Sequence, residues 1–381
     1  MNYNSAAAAQ TVKATTYHHL TIDKTDQVAT LGGATIVNGT LFISAGTLDV
    51  GNGLNYALNL KGDYTNNGVF TAQAGTVTLG GSNKQTLSGT MTTTSAFYDL
   101  TITNSSGSYA GSCGAITPSV DFNAAATVTH DYTITTANVR VEYQTGANYT
   151  IANINWVGSS GNPIVFRNSE EANAWNLNVS GTQTVSYVDV SRSYASGGNP
   201  INAYTYGTST NCNNNTNWFF TATLSISVSP STWGVGTVDE GTVQISTSGN
   251  KIGVTNGGNV AETFTLQILD EDDRDEWTHS SLETGAGNNI YVLSGIFCAT
   301  GDSPIQTSFN EGDSEDVIIY PTQQTATSSK FAYTGGSANA VAVPISGQRS
   351  LWLRLDMPTA VSGTYPYVEH TVTVRISCQQ S

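Results

Sequence analysis

The chain has 381 residues, too many for one ordinary small core, so length alone favours two or three domains. Only 11% of residues are charged and 38% are hydrophobic, while Gly, Thr, Ser and Asn crowd the remainder; that mix is poor in helix formers and too apolar for disorder. The formal charge of −15, made of eleven acids and seven bases in 1–220 and seventeen acids and six bases in 221–381, speaks against nucleic acid as a partner, because phosphate binding needs a basic face.

The leading stretch MNYNSAAAAQ has no basic n-region and too short an apolar block for an intact signal peptide, so export is inferred from the rest of the chain. Nowhere does an apolar run approach the ~20 residues of a membrane span, and no membrane insertion is expected. Residues Asn2 to Thr16 are small, uncharged apart from Lys13 and free of Pro. They read as an N-terminal extension, 1–16, able to add as a strand to a neighbouring subunit or else simply frayed.

The strand YHHLTIDK, Tyr17 to Lys24, has an aromatic, Leu, Thr, Ile frame that returns eighty positions later in FYDLTITN, Phe97 to Asn104. Between them GTLFISAGTL, from Gly39, and GVFTAQAGTV, from Gly68, echo each other at an offset of 29. Recurring short strands separated by Asn-Gly corners point to a solenoid with rungs of roughly 25 to 30 residues, in which one side chain in two is buried against the neighbouring rungs. The two Leu-Thr-Ile strands would then be equivalent positions about three rungs apart. Asn-Gly also marks two-residue hairpins, which would make this half an antiparallel sandwich instead.

VNGTLFISAGTLDVGNG, YTNNGVFTAQAGTVTLGGSNKQTLSG and FYDLTITNSSG resemble the rungs of right-handed parallel β-helices in bacterial surface and secreted proteins, the haemagglutinin-like and adhesin-like group. GSSGNPIVFRNS, AWNLNVSGTQTVSYVDVSRSYASGGNPINA and NCNNNTNWFF are similar to the closing rungs of such a helix. The resemblance implies a parallel β-helix over 17–220, with Trp218, Phe219 and Phe220 placed to cover its raw C-terminal end.

After Phe220 the pattern becomes strict alternation. Leu224, Ile226 and Val228, then Phe264, Leu266 and Ile268, then Leu351, Leu353 and Leu355, and finally Val372, Val374, Ile376 and Cys378 predict the half-buried strands of a β-sandwich. KIGVTNGGNVAETFTLQI, QRSLWLRLDMP and HTVTVRISC look like strands of the Ig-like domains found on bacterial surface proteins, which implies an Ig-like sandwich over 221–381. The fold class expected for the whole chain is all-β.

Four cysteines show no C-x-x-C spacing and hence no zinc signature. In an exported protein the pairings to expect first are Cys113 with Cys212 and Cys298 with Cys378, since each keeps its bridge inside one domain; free buried thiols are the alternative. Enzymatic β-helices that cleave acidic polysaccharides need clustered carboxylates, whereas the only adjacent acids before residue 221 are Glu170-Glu171. His18 and His19, neighbours on one strand, would point to opposite faces, and His130, His279 and His370 are scattered. No enzyme activity is expected.

The dense charge lies in LDEDDRDEW and NEGDSED. Asp270, Asp272, Asp273 and Asp275 with Asp313 and Glu315 repel one another unless a cation is shared or water screens them, which makes Ca2+ the one candidate cofactor. These features together predict an extracellular, cell-surface structural protein, a subunit of a filament or surface layer whose partner is another copy of itself. A monomeric adhesin or glycan-binding surface protein is the alternative.

Overall fold

The computed structural model describes residues 1–381 except 6–7, 52, 171–172, 205–207, 274–275, 283, 310–316, 335, 337 and 364–368. The chain divides into two compact units, Met1–Thr221 and Ala222–Ser381.

The first unit is a parallel β-solenoid of about 9 turns. Two long sheets run its length, one of 12 strands and one of 10, and every ladder within them is parallel. In the first sheet Leu20, Leu41, Tyr64, Leu87, Phe122 and Tyr143 stand one above the other. In the second sheet the corresponding file is Thr35, Leu58, Val77, Leu100, Tyr132 and Ile154. All of these side chains are buried, because the pleat turns alternate residues inward and stacking covers each from above and below. Truncating one of them, such as Leu41→Ala, would cost about 2–5 kcal/mol through lost burial and the cavity left behind.

The Leu-Thr-Ile strands are not equivalent. Leu20 belongs to the first sheet and Leu100 to the second, so the shared frame reflects a common demand, one buried side chain in two after a corner, and not a shared register. Nor is the offset of 29 a rung. Leu41 stacks on Tyr64 and Thr47 on Val69, while the Cβ position of Gly62 lies 2.5 Å from the Gly39 carbonyl oxygen. Corners of unequal length shift the repeat, and the ladder follows backbone pairing instead of sequence similarity.

Residues 1–16 are not a separate extension. Asn2–Tyr3 and Gln10–Val12 pair in parallel with Leu20–Leu31, and Thr16–Tyr17 pairs with Thr35–Val37. Lys24 fixes this first turn: its fully buried ammonium donates to the carbonyl oxygens of Ser5 and Ala8, both at 2.7 Å, and to Gln10 Oε1 at 3.0 Å. The next turn must pass close over Lys24, and it does so at Gly46, whose φ is +73° and whose Cβ position lies 1.7 Å from the Lys24 carbonyl oxygen. Any side chain there would collide with backbone.

Towards the other end the filling changes from aliphatic to aromatic. Tyr143 stacks on Trp175 at 4.1 Å, Trp156 lies 4.6 Å from Phe166, and the Tyr132 and Tyr143 hydroxyls meet at 3.1 Å. Trp218, on the last solenoid strand, is 8% exposed and joins this core, with Phe220 stacked on it at 5.7 Å.

The second unit is built from antiparallel and mixed sheets sharing one core. The larger sheet contains Ile226–Ser229, Ile252–Asn256, Gln348–Asp356 and Ile290–Cys298, with Val243–Ile245 and Thr278–His279 at its margins; the smaller has Gln324–Thr325, Glu262–Asp270 and Thr373–Gln380. Phe264, Leu266 and Ile268 of the smaller sheet meet Val254, Leu293 and Leu351 of the larger. Gly295 permits that approach, since a Cβ there would already touch Leu266, Ile319 and Leu351. The alternation at 224–228 is weaker than expected: Ile226 packs on the core, but Leu224 and Val228 are exposed.

Candidate functional site

Stacking gathers charges that are far apart in sequence onto the outer face of the first sheet. Asp121 and Glu142 are register partners on Val120–Phe122 and Arg140–Tyr143, and Glu142 is in turn opposite Arg167. Lys84 reaches Asp121 Oδ2 at 2.7 Å, while Asp121 Oδ1 is buried without a partner. Burial, and secondarily the Asp121 charge, raises the Glu142 carboxyl above the usual range. Neither carboxylate stands out along the chain, because residues 21 apart become neighbours only when rungs stack.

Beside this file an inserted hairpin, Ser108–Tyr109 paired antiparallel with Ile116–Thr117, lies over the sheet as a strap. Under it Arg167 pairs with Asp189 at 2.7 Å and donates through Nε and a terminal nitrogen to the Gly114 carbonyl oxygen. The Tyr109 hydroxyl donates to Asp189, which also accepts the Cys113 N–H at 3.0 Å, and the Arg140 guanidinium sits 5.1 Å from the Tyr109 ring centre. Burial and the adjacent Asp189 carboxylate push Tyr109 up to about 12. A disulfide between Cys113 and Cys212 ties the strap down. The strap explains why Ile164–Phe166 and Val188–Val190 are buried on both faces.

The second expected bridge is not formed. Cys298 and Cys378 carry free thiols. Cys298 packs with Ile296, Phe309, Val317 and Trp352, whereas Cys378 packs against the core shared by the two sheets, so alternate faces hold them apart. Burial pushes the Cys298 thiol up to about 12 and the Cys378 thiol to about 11.

Of the acids expected to share a cation, Asp275, Asp313 and Glu315 lie outside the described residues. Asp270 is exposed at the end of its strand. Asp272 and Asp273 converge with His370. Asp272 is 2% exposed and already engaged: one oxygen accepts the N–H groups of Glu276 and Trp277 at 2.8 and 2.9 Å, and the other lies 2.8 Å from His370 Nδ1. Burial opposes ionisation of Asp272, but these hydrogen bonds win and hold it below the usual carboxylate range. Asp273 Oδ1 accepts the Thr371 N–H at 2.9 Å. The acidic loop is thereby tied to the chain just before the final strand.

His18 and His19 do not point to opposite faces. They occupy a corner before Leu20, both exposed, with ring centres 4.3 Å apart, and His19 Nδ1 accepts the Thr40 N–H at 2.9 Å. Glu170 is exposed, and Glu171 lies outside the described residues.

Near the C-terminal turns an open groove is lined by Gly146, Asn173, Ala174, Asn176, Arg192, Tyr194 and Asn214. Tyr194 is 46% exposed there. Compared with the families of known proteins, with curated proteins and with solved structures, the chain finds no match.

Proposed function

We propose that the chain is a structural subunit of the cell exterior that assembles with further copies of itself into a filament or layer through strand-edge contacts at the ends of its solenoid. The supporting observation is that both parallel sheets terminate in strands with a ladder partner on one side among the described residues. Asn2–Tyr3, Gln10–Val12 and Thr16–Tyr17 stand at one end, and Thr210–Asn211 of the first sheet at the other, where Ser193–Tyr194 of the second sheet is already covered by the bridge from Tyr194 to Thr216. Such edges offer unsatisfied N–H and C=O groups in a fixed direction, and parallel pairing of unlike ends is heterologous, so it propagates without closing.

Val12 faces inward along the ladder, since its carbonyl oxygen accepts the Gly32 N–H at 2.8 Å; by alternation the Thr11 N–H faces away from it. Thr11→Pro removes that outward donor while sparing the internal ladder. Negative-stain imaging should show ordered polymers for the native chain and monomers for Thr11→Pro at unchanged melting temperature. A native chain that stays monomeric at every concentration refutes the reading.

The groove around Tyr194 favours a second reading, a monomeric adhesin or glycan-binding surface protein. An exposed ring flanked by Asn176, Asn214 and Arg192 offers a flat apolar face with polar groups beside it, the combination that a pyranose ring requires. Loss of retention on a glycan array in Tyr194→Ala, with the native chain monomeric, would favour it over assembly. Release of reducing ends from an acidic polysaccharide would overturn both and direct attention to Glu142 and Asp121.

A further inference from the structure

The strand Ala126–Ile134 carries a bulge. Against Asn148–Val157 its pairing runs Val128 to Ile151 and then Asp131 to Asn153, so Thr129 and His130 together oppose Ala152. On its other side Phe97 bridges Val128 and Leu100 pairs with Tyr132, leaving three residues opposite two. The surplus residue turns His130 and Asp131 outward on the same side as Asp99, as bulges do when they re-aim side chains.

The three side chains converge. His130 Nδ1 lies 2.7 Å from Asp99 Oδ1 and 3.5 Å from Asp131 Oδ2, and one ligand atom from each residue falls within 4.8 Å of the others. Each is also oriented from behind. Asp99 Oδ1 takes the Asp131 N–H at 3.2 Å and Oδ2 faces Thr76 Oγ1 at 3.5 Å; Asn153 Nδ2 donates to Asp131 Oδ1 at 3.1 Å; and the Tyr98 ring stacks on the imidazole at 4.8 Å. Capping the bulge amide accounts for Asp99 alone. It does not require an imidazole turned towards two carboxylates, nor an amide holding the second carboxylate in place.

We propose that Asp99, His130 and Asp131 form a surface site for a borderline divalent cation, of which Zn2+ is the type. Imidazole nitrogen with two carboxylate oxygens suits that class better than Ca2+ or Mg2+, which take all-oxygen shells. Ligands at Zn2+ distances stand about 3.3 Å apart around a tetrahedral ion, so the His130–Asp131 spacing of 3.5 Å is already close to that value, and the 2.7 Å contact between His130 and Asp99 opens as the ion replaces the proton between them. The side chains of His130 and Asp131 are 45% and 49% exposed, which leaves the fourth position open to water or to a ligand from another molecule. Asn153 is a positioning residue in the outer shell.

The test is isothermal titration of the full chain with Zn2+, repeated with Co2+ to record its ligand-field spectrum. The native chain should bind one equivalent through this site. His130→Ala, a surface change that leaves the melting temperature in place, should lose it, and Asn153→Ala should weaken it about tenfold or more. Binding of equal strength in native and His130→Ala chains, or no binding by the native chain, overturns the proposal.

Discussion

Cys113 and Cys212 are 99 positions apart, and their bridge spans several turns of the solenoid, so its removal is the most informative single perturbation. A cross-link closing about 100 residues removes denatured-state entropy worth about 4.7 kcal/mol, and native bridges commonly contribute about 2–4 kcal/mol. The unit that contains the bridge runs from Met1 to Thr221, a size at which each kcal/mol moves the melting temperature by about 2–4 °C. Cys113→Ser with Cys212→Ser should therefore lower the solenoid transition in calorimetry by about 4–19 °C. Hydrogen exchange should rise in the strap at the same time, at the amides of Cys113, held by Asp189, of Gly114, held by Gly111, and of Ala110, held by Ala115. The double substitution avoids reductant and leaves Cys298 and Cys378 untouched. A shift below about 2 °C, with the strap still protected, would refute the claim that the bridge constrains the unfolded chain and latches the hairpin.

Lys24→Met should remove three charge-assisted hydrogen bonds and destabilise the first turn by about 3 kcal/mol; exchange confined to the backbone of residues 2–12 would show it, because a terminal rung opens on its own. Asp272 is held low when folded, so its contribution is whole above the unfolded value of about 4 and is lost as pH falls below it. Asp272→Asn should accordingly lower the melting temperature at neutral pH and flatten the acid limb, as thermal melts across that range will show. Glu142 has the opposite sign: its carboxyl is raised, so folding disfavours its charged form and stability grows as pH falls through the folded value. Glu142→Gln should raise the solenoid transition at neutral pH, and that difference should close on acidification.

The residues show clearly which half of the problem is local. Alternation is a property of neighbouring positions, so Phe264, Leu266 and Ile268 could be placed on the buried side of a strand before any coordinates, and Trp218 over the closing end of the solenoid. The solenoid was legible for that reason. Its register was not: Leu20 and Leu100 share a frame yet sit in different sheets, since pairing is decided by corner lengths that no single strand encodes. Lys24 is equally opaque, an ordinary surface cation in sequence and a buried clamp in space.

What the sequence determined alone is the β character of both units and the change of pattern near residue 220, because strand periodicity acts over two residues at a time. The tertiary structure decided everything that depends on stacking: the file of Asp121, Glu142 and Arg167, the strap bridged from Cys113 to Cys212, and the meeting of Asp99 with His130 and Asp131. Those groups lie from 21 to 99 positions apart for most pairs, and parallel rungs about 4.8 Å apart are what turn such distances along the chain into contacts.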